Sequence, residues 1–435
     1  MKLNRLYILA VFPLLFTYSS CSFEDQFDPN GASLGSILTE ATAGELNLLV
    51  TGIEGRMRNG WGTYVTATGS VARELYLFDA DPRNTEELLG KEGATLDNNT
   101  FYLTAPFNTR YTAIKNCNLL LDALRVATGD VDEMEKDAYR GFANTIKGLM
   151  LSQVLALLGD NGVRIDVADV DNIGPFIAPA MAYDMILDIM DDGAAQLQGS
   201  TILFNLSDGF EGFMTADKLF EFNRALAARI AIQGGLYDRA LTYVNSSFLE
   251  LNGAIDVGPE HIFSANAGDI LNPVFRPPGQ SGDQIIVHPR IVPGLMDGDT
   301  RISKFALRVD PSVQDGLTSD YESALYASVI APIDIIRNEE LIIIYAEASL
   351  QEGAMPDAVA GFNALRAAHS LPAYSGPMTV EALTDELLYH RTYSLWGEGQ
   401  QLFDLRRYDR LNTLPIDRAG DQVFSQFPIP LSEGV

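Results

Sequence analysis

Cysteine is nearly absent from this 435-residue chain, which carries only Cys21 and Cys117. At most one intrachain disulfide is possible, and none if Cys21 is otherwise engaged, so packing must hold the fold. Histidine is as sparse. His261, His288, His369 and His390 are scattered, and there is no H-E-x-x-H, no cysteine cluster, no P-loop and no complete G-x-G-x-x-G. The metal-catalytic and nucleotide-binding classes that those motifs mark are therefore without support. Basic charge is also short: 58 acidic residues outnumber 30 basic ones, only 7 of them lysine, for a formal net charge of −28. Nucleic acid, whose phosphates demand a positive surface, is excluded as a partner. The N-terminal apolar run is too short to span a bilayer, since from Tyr7 to Phe16 it stops well short of about 20 residues.

What the N-terminus does contain is an export pattern. Lys2 and Arg5 precede the apolar run, Ser19 and Ser20 are small, and residues 1–20 read as a signal peptide. Cys21 follows directly, as in a bacterial lipobox, where that cysteine is acylated and becomes the mature N-terminus; a plain signal peptide cleaved elsewhere is the alternative. Ser22, Glu24 and Asp25 resemble the acidic signal that sends such lipoproteins to the outer leaflet of the outer membrane. Residues 21–35 then form a polar, Gly- and Pro-containing tether. Gly31, Ser33 and Gly35 match the G-x-S-x-G of serine hydrolases, but nothing strand-like precedes them to build the strained turn that chemistry needs. Cys117 lies beside Leu119 and Leu120 in an apolar helical pattern, which assigns it a packing role.

Helical periodicity dominates the rest. It predicts helices over 36–58, 108–126 and 133–158, the last ended by Gly159, and helical hairpins over 217–250 and 333–372 turning at Gly235 and Gly353. Small residues at Ala346 and Ala358 suit a close helix crossing. The expected fold is mainly α: a tetratricopeptide-like helical-hairpin scaffold in a single domain over 36–435, with minor short β-strands. Two long irregular excursions interrupt it, at about 59–106 and 254–332, the second rich in Pro and Gly with β-like runs IIVH and KFAL. Both are expected to lie over one side of the scaffold and to carry ligand specificity.

A sugar ring has an apolar C–H face and a rim of hydroxyls, so its site wants flat aromatics beside amides, carboxylates and arginine. Asn59, Trp61 and Tyr64, after Arg58, offer that mixture on an expected loop; Phe101 and Tyr102 follow Asn98 and Asn99 in the same way. Arg276, His288 and Arg290 are the polar candidates of the second excursion. Trp396 lies in a helical pattern and is expected to be buried, and Arg406 and Arg407 to pair with Asp404 or Glu398. Asp166, Asp169 and Asp171 lack the glycine and terminal glutamate of an EF-hand and read as a solvated acidic loop, so no metal or cofactor is expected. Paired carboxylates for glycoside hydrolysis converge only in space, and sequence leaves them open.

One stretch is more specific. The phrases YAEASLQEG, AVAGFNALRAAHSLP and HRTYSLWGEGQQLFDLRRYD, followed by FPIPLSE at 427–433, resemble in order and spacing the C-terminal region of the SusD/RagB family. His390 and Ser394 depart from it, standing where the family usually has acidic residues. The resemblance implies an outer-membrane lipoprotein anchored through Cys21 that binds a glycan or peptide without altering it and hands it to a SusC-like TonB-dependent barrel. The alternatives are a surface glycoside hydrolase and a protein-binding tetratricopeptide-like scaffold.

Overall fold

The structure, a computed structural model, describes residues 37–127 and 131–434. The signal peptide, Cys21, the tether and the Gly31-Ser33-Gly35 match lie outside the described residues. Within them the protein is built on helices packed in antiparallel succession: α1 (Ala43–Met57), α2 (Trp61–Val71), α3 (Phe101–Val126), α4 (Glu133–Leu158), α5 (Pro179–Leu197), α6 (Ala216–Gln233), α7 (Tyr237–Val244), α8 (Asn338–Gln351), α9 (Met355–Ala368), α10 (Val380–Ser394) and α11 (Gln401–Arg407).

The starts and stops have local causes. Thr42 with Glu45 and Asp132 with Glu135 form reciprocal capping boxes at α1 and α4, satisfying N–H groups that would otherwise lack partners. Gly235 and Gly353 hold positive φ (70° and 81°) in the α6–α7 and α8–α9 turns, as the hairpin reading requires. The two long helices α4 and α5 approach so closely that a Cβ on Gly141 would stand 2.6 Å from Leu197 Cγ. Helix α4 is apolar and long enough to cross a membrane, yet 83% of its apolar window is buried inside the protein, which makes it the core helix of the scaffold. One hydrophobic core runs from Ile37 to Phe427, including the fully buried Cys117.

The excursions are less irregular than their composition predicts. The first opens with helix α2, continues into strand β1 (Leu75–Phe78), and ends at Phe101, where α3 begins seven residues before its predicted start. Pro106 is the reason: proline normally breaks a helix, but here burial of Tyr102, Leu103 and Phe107 carries the helix through it. Short strand pairs join Val163–Arg164 (β2) to Phe176–Ile177 (β3) and Glu260–His261 (β4) to Ile333–Asp334 (β8). The second excursion supplies β5 (Gln284–Val287), β6 (Phe305–Gln314) and β7 (Leu317–Ser323).

Those strands form a sheet in the order β1-β5-β7-β6. Leu75 pairs antiparallel with Val287 and Phe78 with Gln284, so the two excursions, far apart in sequence, share backbone hydrogen bonds. That pairing positions the site described next.

The C-terminal stretch is held by buried charge. Glu347, fully buried, takes Arg391 at 3.3 Å, the guanidinium of Arg407 and the hydroxyl of Tyr408 at 2.7 Å, while Asp404 takes Arg391 at 2.6 Å and Arg407 at 3.0 Å. Glu398 pairs with Arg337 at 2.8 Å and not with Arg406 or Arg407. Arg406 instead donates to the carbonyls of Ala156 and Ser425, tying α11 to the end of α4. Trp396 is buried, its Nε1 donating to Glu74 O. His390 and Ser394 have a substitute for the missing acidic pairings: Arg301, itself bound to Asp299 at 2.6 Å, donates to Ser394 Oγ and approaches His390 Nδ1 at 3.2 Å.

Candidate functional site

Where the excursions meet, they enclose a cavity of about 470 Å³. One wall is the start of α2 with the residues before it, Arg58 to Thr66. A second is the end of β1 (Leu77, Asp79) with Phe101 at the first turn of α3, and a third is the loop from Ile270 to Arg276. The walls are pressed together at one point: a Cβ on Gly62 would lie 2.8 Å from both Cβ and O of Pro273, so only glycine lets the loop seat against α2. The cavity thus draws on residues from both excursions.

Its chemistry is mixed. Phe101 is half-buried, with the Arg83 guanidinium 4.9 Å from its ring centroid, and Ile270 and Leu271 are exposed, 37% and 46%, beside Pro273. Around these apolar surfaces stand Arg58, Asn59, Thr63, Asp79 and Arg276. Arg58, Arg276 and Asp79 are held by neighbours. Arg58 is ion-paired with Asp269 and donates to Ile262 O. Arg276 donates to Asp283 at 2.7 Å and to the carbonyls of Pro273 and Phe275, and Asp79 accepts from Asn84 Nδ2 at 3.0 Å. Side chains fixed this way are preorganised for a hydroxylated ligand and lose little freedom on binding it. Among the described residues lining the cavity, Asp79 is the one carboxylate, so the cavity itself lacks the facing acid pair that glycoside hydrolysis employs.

Of the residues singled out from sequence, Asn59, Phe101 and Arg276 come together here. The others are placed differently. Trp61 and Tyr64 are not on a loop: they occupy the first turns of α2 and are buried, 7% and 2% exposed, stacked at 5.4 Å with the Arg110 guanidinium 4.7 Å from the Tyr64 ring. Both rings belong to the hydrophobic core, and burial pushes Arg110 down to about 10. The aromatic spacing that drew attention to them is a core pattern. Tyr102 is likewise fully buried; its hydroxyl donates to Glu87 at 2.6 Å and accepts from Asp97 N–H. His288 is buried against Asp417 at 2.9 Å, with burial holding its pKa below the usual imidazole value. Arg290 leaves the cavity for a separate cleft.

Sequence reasoning missed Gly62, Thr63, Asp79, Ile270, Leu271 and Pro273. The one available signal was the adjacent Ile270–Leu271 pair, apolar without periodicity in a Pro- and Gly-rich segment. Beside the main cavity, across Arg58, lies a smaller one of about 250 Å³ containing Glu54, Ser207 and His261. Glu54 is raised by burial although both its oxygens accept from Ser207 N–H, and burial together with the Arg58 charge lowers His261 to about 3. Asp166, Asp169 and Asp171 do not gather; Asp169 accepts the backbone N–H of Asp171 in an ordinary turn.

Taken together, these features define a helical-repeat scaffold bearing a preorganised, mixed apolar and polar cavity at the meeting of two excursions. Residues 327–428 match the model of the SusD family, so the C-terminal quarter carries that family's sequence pattern, and the described residues share the helical, tetratricopeptide-like fold of SusD superfamily structures. No curated protein matches the chain. Among solved structures it is similar to a SusD superfamily protein of Bacteroides vulgatus (16% identity, 90% of this chain and 96% of that one, TM-score 0.69). It is also similar to surface glycan-binding protein A of Bacteroides thetaiotaomicron (14%, 91% and 97%, TM-score 0.71), a protein also solved in complex with laminarihexaose.

Proposed function

We propose that this protein is a non-enzymatic, outer-membrane lipoprotein anchored through Cys21, which captures an oligosaccharide and delivers it to a SusC-like TonB-dependent barrel. The observation that carries the reading is the cavity at the seam: half-buried Phe101 and exposed Ile270 and Leu271 supply the apolar surface a sugar face stacks on, while Arg58 and Arg276, fixed by their partners, and the Asn59 amide supply donors for hydroxyls. A fold shared with glycan-binding proteins supports the class of ligand. The export pattern and Cys21 support the location. Capture followed by closure over the barrel needs binding, not bond breaking.

The test begins with laminarihexaose as a probe, titrated calorimetrically into the mature protein and into Phe101→Ala. Saccharide binding that survives unchanged in Phe101→Ala, while the variant melts like the parent, would remove this cavity from the account. Release of shortened products from a polysaccharide panel would replace the binding reading with the hydrolase. Metabolic labelling with palmitate, lost in Cys21→Ala, checks the anchor, and affinity capture from solubilised outer membranes should bring down a large β-barrel.

A further inference from the structure

A second cleft, of about 430 Å³, lies between the loop at Arg290 to Gly294 and helix α10, and it shares no lining residue with the cavity of Phe101. Two guanidinia, Arg290 and Arg410, line it in a protein whose net charge is −28 and whose other half-buried arginines are largely matched with carboxylates. Arg290 has no such match. It forms no ion pair with any described residue: its Nε donates to Arg73 O at 2.7 Å and its Nη2 to Ala72 O at 3.1 Å, which fixes the plane of the group, while Nη1 is left without a hydrogen-bond partner among the described residues. The Glu74 and Asp417 carboxylates and the Arg73 guanidinium act on it through space, and none of these charged groups is hydrogen-bonded to it. Arg410 is 40% exposed and meets Asp385, 68% exposed, only at 3.6 Å. A solvent-screened pair of that length is easily opened.

The same cleft is lined by two tyrosine rings, by threonine and by one carboxylate, Asp385. Tyr389 and Tyr393 lie with centroids 4.7 Å apart, their hydroxyls fastened to Asp299 and to Ile291 O, so the rings are immobile. Thr392 accepts from Gln401 Nε2, which leaves its own hydroxyl hydrogen free to donate. A planar, anchored guanidinium with an unfilled N–H is suited to a carboxylate, and ring and hydroxyl neighbours are suited to the sugar that carries it.

We infer that this cleft is a second ligand site, taking an acidic saccharide whose carboxylate is held by Arg290 and Arg410 against the Tyr389–Tyr393 rings. The inference does not rest on what the Phe101 cavity binds, and it assigns Arg290 a role in a site of its own.

Trigalacturonate and its fully methyl-esterified form are the probes, titrated calorimetrically into the intact mature protein at low salt. Trigalacturonate should bind, with the ester weaker by about tenfold or more because the charge-assisted bonds are gone. Arg410→Gln and Arg290→Gln should each weaken trigalacturonate by a similar factor, and Phe101→Ala should leave it unchanged. Arg290 ties two backbone carbonyls, so its variant is to be checked by thermal melting; if it does not fold, Arg410→Gln, a solvent-facing change, decides alone. Failure of trigalacturonate to bind, equal binding of the ester, undiminished binding in Arg410→Gln, or loss of binding in Phe101→Ala each overturns the assignment.

Discussion

The C-terminal stretch from Ile333 to Tyr408 and the cavity at the seam of the excursions use the same kinds of residues to opposite ends. In the first, carboxylates and guanidinia are buried and answered internally: Glu347 by two arginines and a tyrosine, Glu339 by Arg337 and His369, Glu386 by Arg366 and His390. In the second, arginine, amide and aromatic groups stand around an open volume of about 470 Å³ with apolar side chains left exposed beside them. The buried charges of the recognisable stretch, Glu347, Asp404, Arg391 and Arg407 among them, are therefore spent on one another, whereas the cavity at the seam leaves apolar and polar groups open.

This contrast can be broken most forcefully at Glu347. Glu347→Ala leaves Arg391 and Arg407 with Asp404 as their one remaining carboxylate among the described residues, and the expected loss is about 3–5 kcal/mol of unfolding free energy, read by urea denaturation. A loss below about 1 kcal/mol would mean the buried lattice is ornamental. Gly62→Ala tests the seam: its methyl group would collide with Pro273 and should destabilise by about 1–3 kcal/mol while abolishing saccharide binding. Retention of both stability and binding would show that the loop seats otherwise. Phe101→Ala should cost little stability but about 1.4 kcal/mol of laminarihexaose affinity, a tenfold change by calorimetry.

The two regions should also respond to acid with opposite signs. Burial raises Glu386, but the Arg366 and His390 partners outweigh it and hold the carboxyl at about 2. Its contribution to stability is thus complete above the unfolded value near 4.5 and is lost as pH falls from there through 2. Glu74, at the seam, is the reverse. It is fully buried, its Oε2 lacks a hydrogen-bond partner, and desolvation lifts it to about 7 despite the bond from Gly397 N–H. Its favourable contribution is complete below about 4.5 and is lost as pH rises through 7. Carboxyl carbon NMR titration of the two groups should place their midpoints on opposite sides of 4.5; a common midpoint would erase the distinction. This effect is the smallest at neutral pH.

How much of this was legible follows from which forces are local. Helix α4 and its stop at Gly159, and the turns at Gly235 and Gly353, are set by capping and by positive φ, both written in neighbouring residues. The strands at IIVH and KFAL were visible for the same reason. Helix α2 and the first turns of α3 were not, because Trp61 and Tyr64 look like exposed sugar platforms until the Arg110 side chain from α3 is placed over them, and because Pro106 argues locally against a helix that burial sustains. At the cavity, Asn59, Phe101 and Arg276 were legible as an amide, an aromatic and a guanidinium, and the fold brings them together. Gly62 and Pro273 could not be found, since their importance is a distance of 2.8 Å between segments that only the fold brings together.

The pairing of Leu75 with Val287 has a temporal consequence. Closing so large a loop is entropically slow, and the strand from the first excursion must wait for its partner to emerge and dock. Helical hairpins can form as soon as they are made; the cavity at the seam cannot. Saccharide affinity in a refolding experiment would accordingly lag behind helical ellipticity, and the delay between them would time the knitting of the sheet.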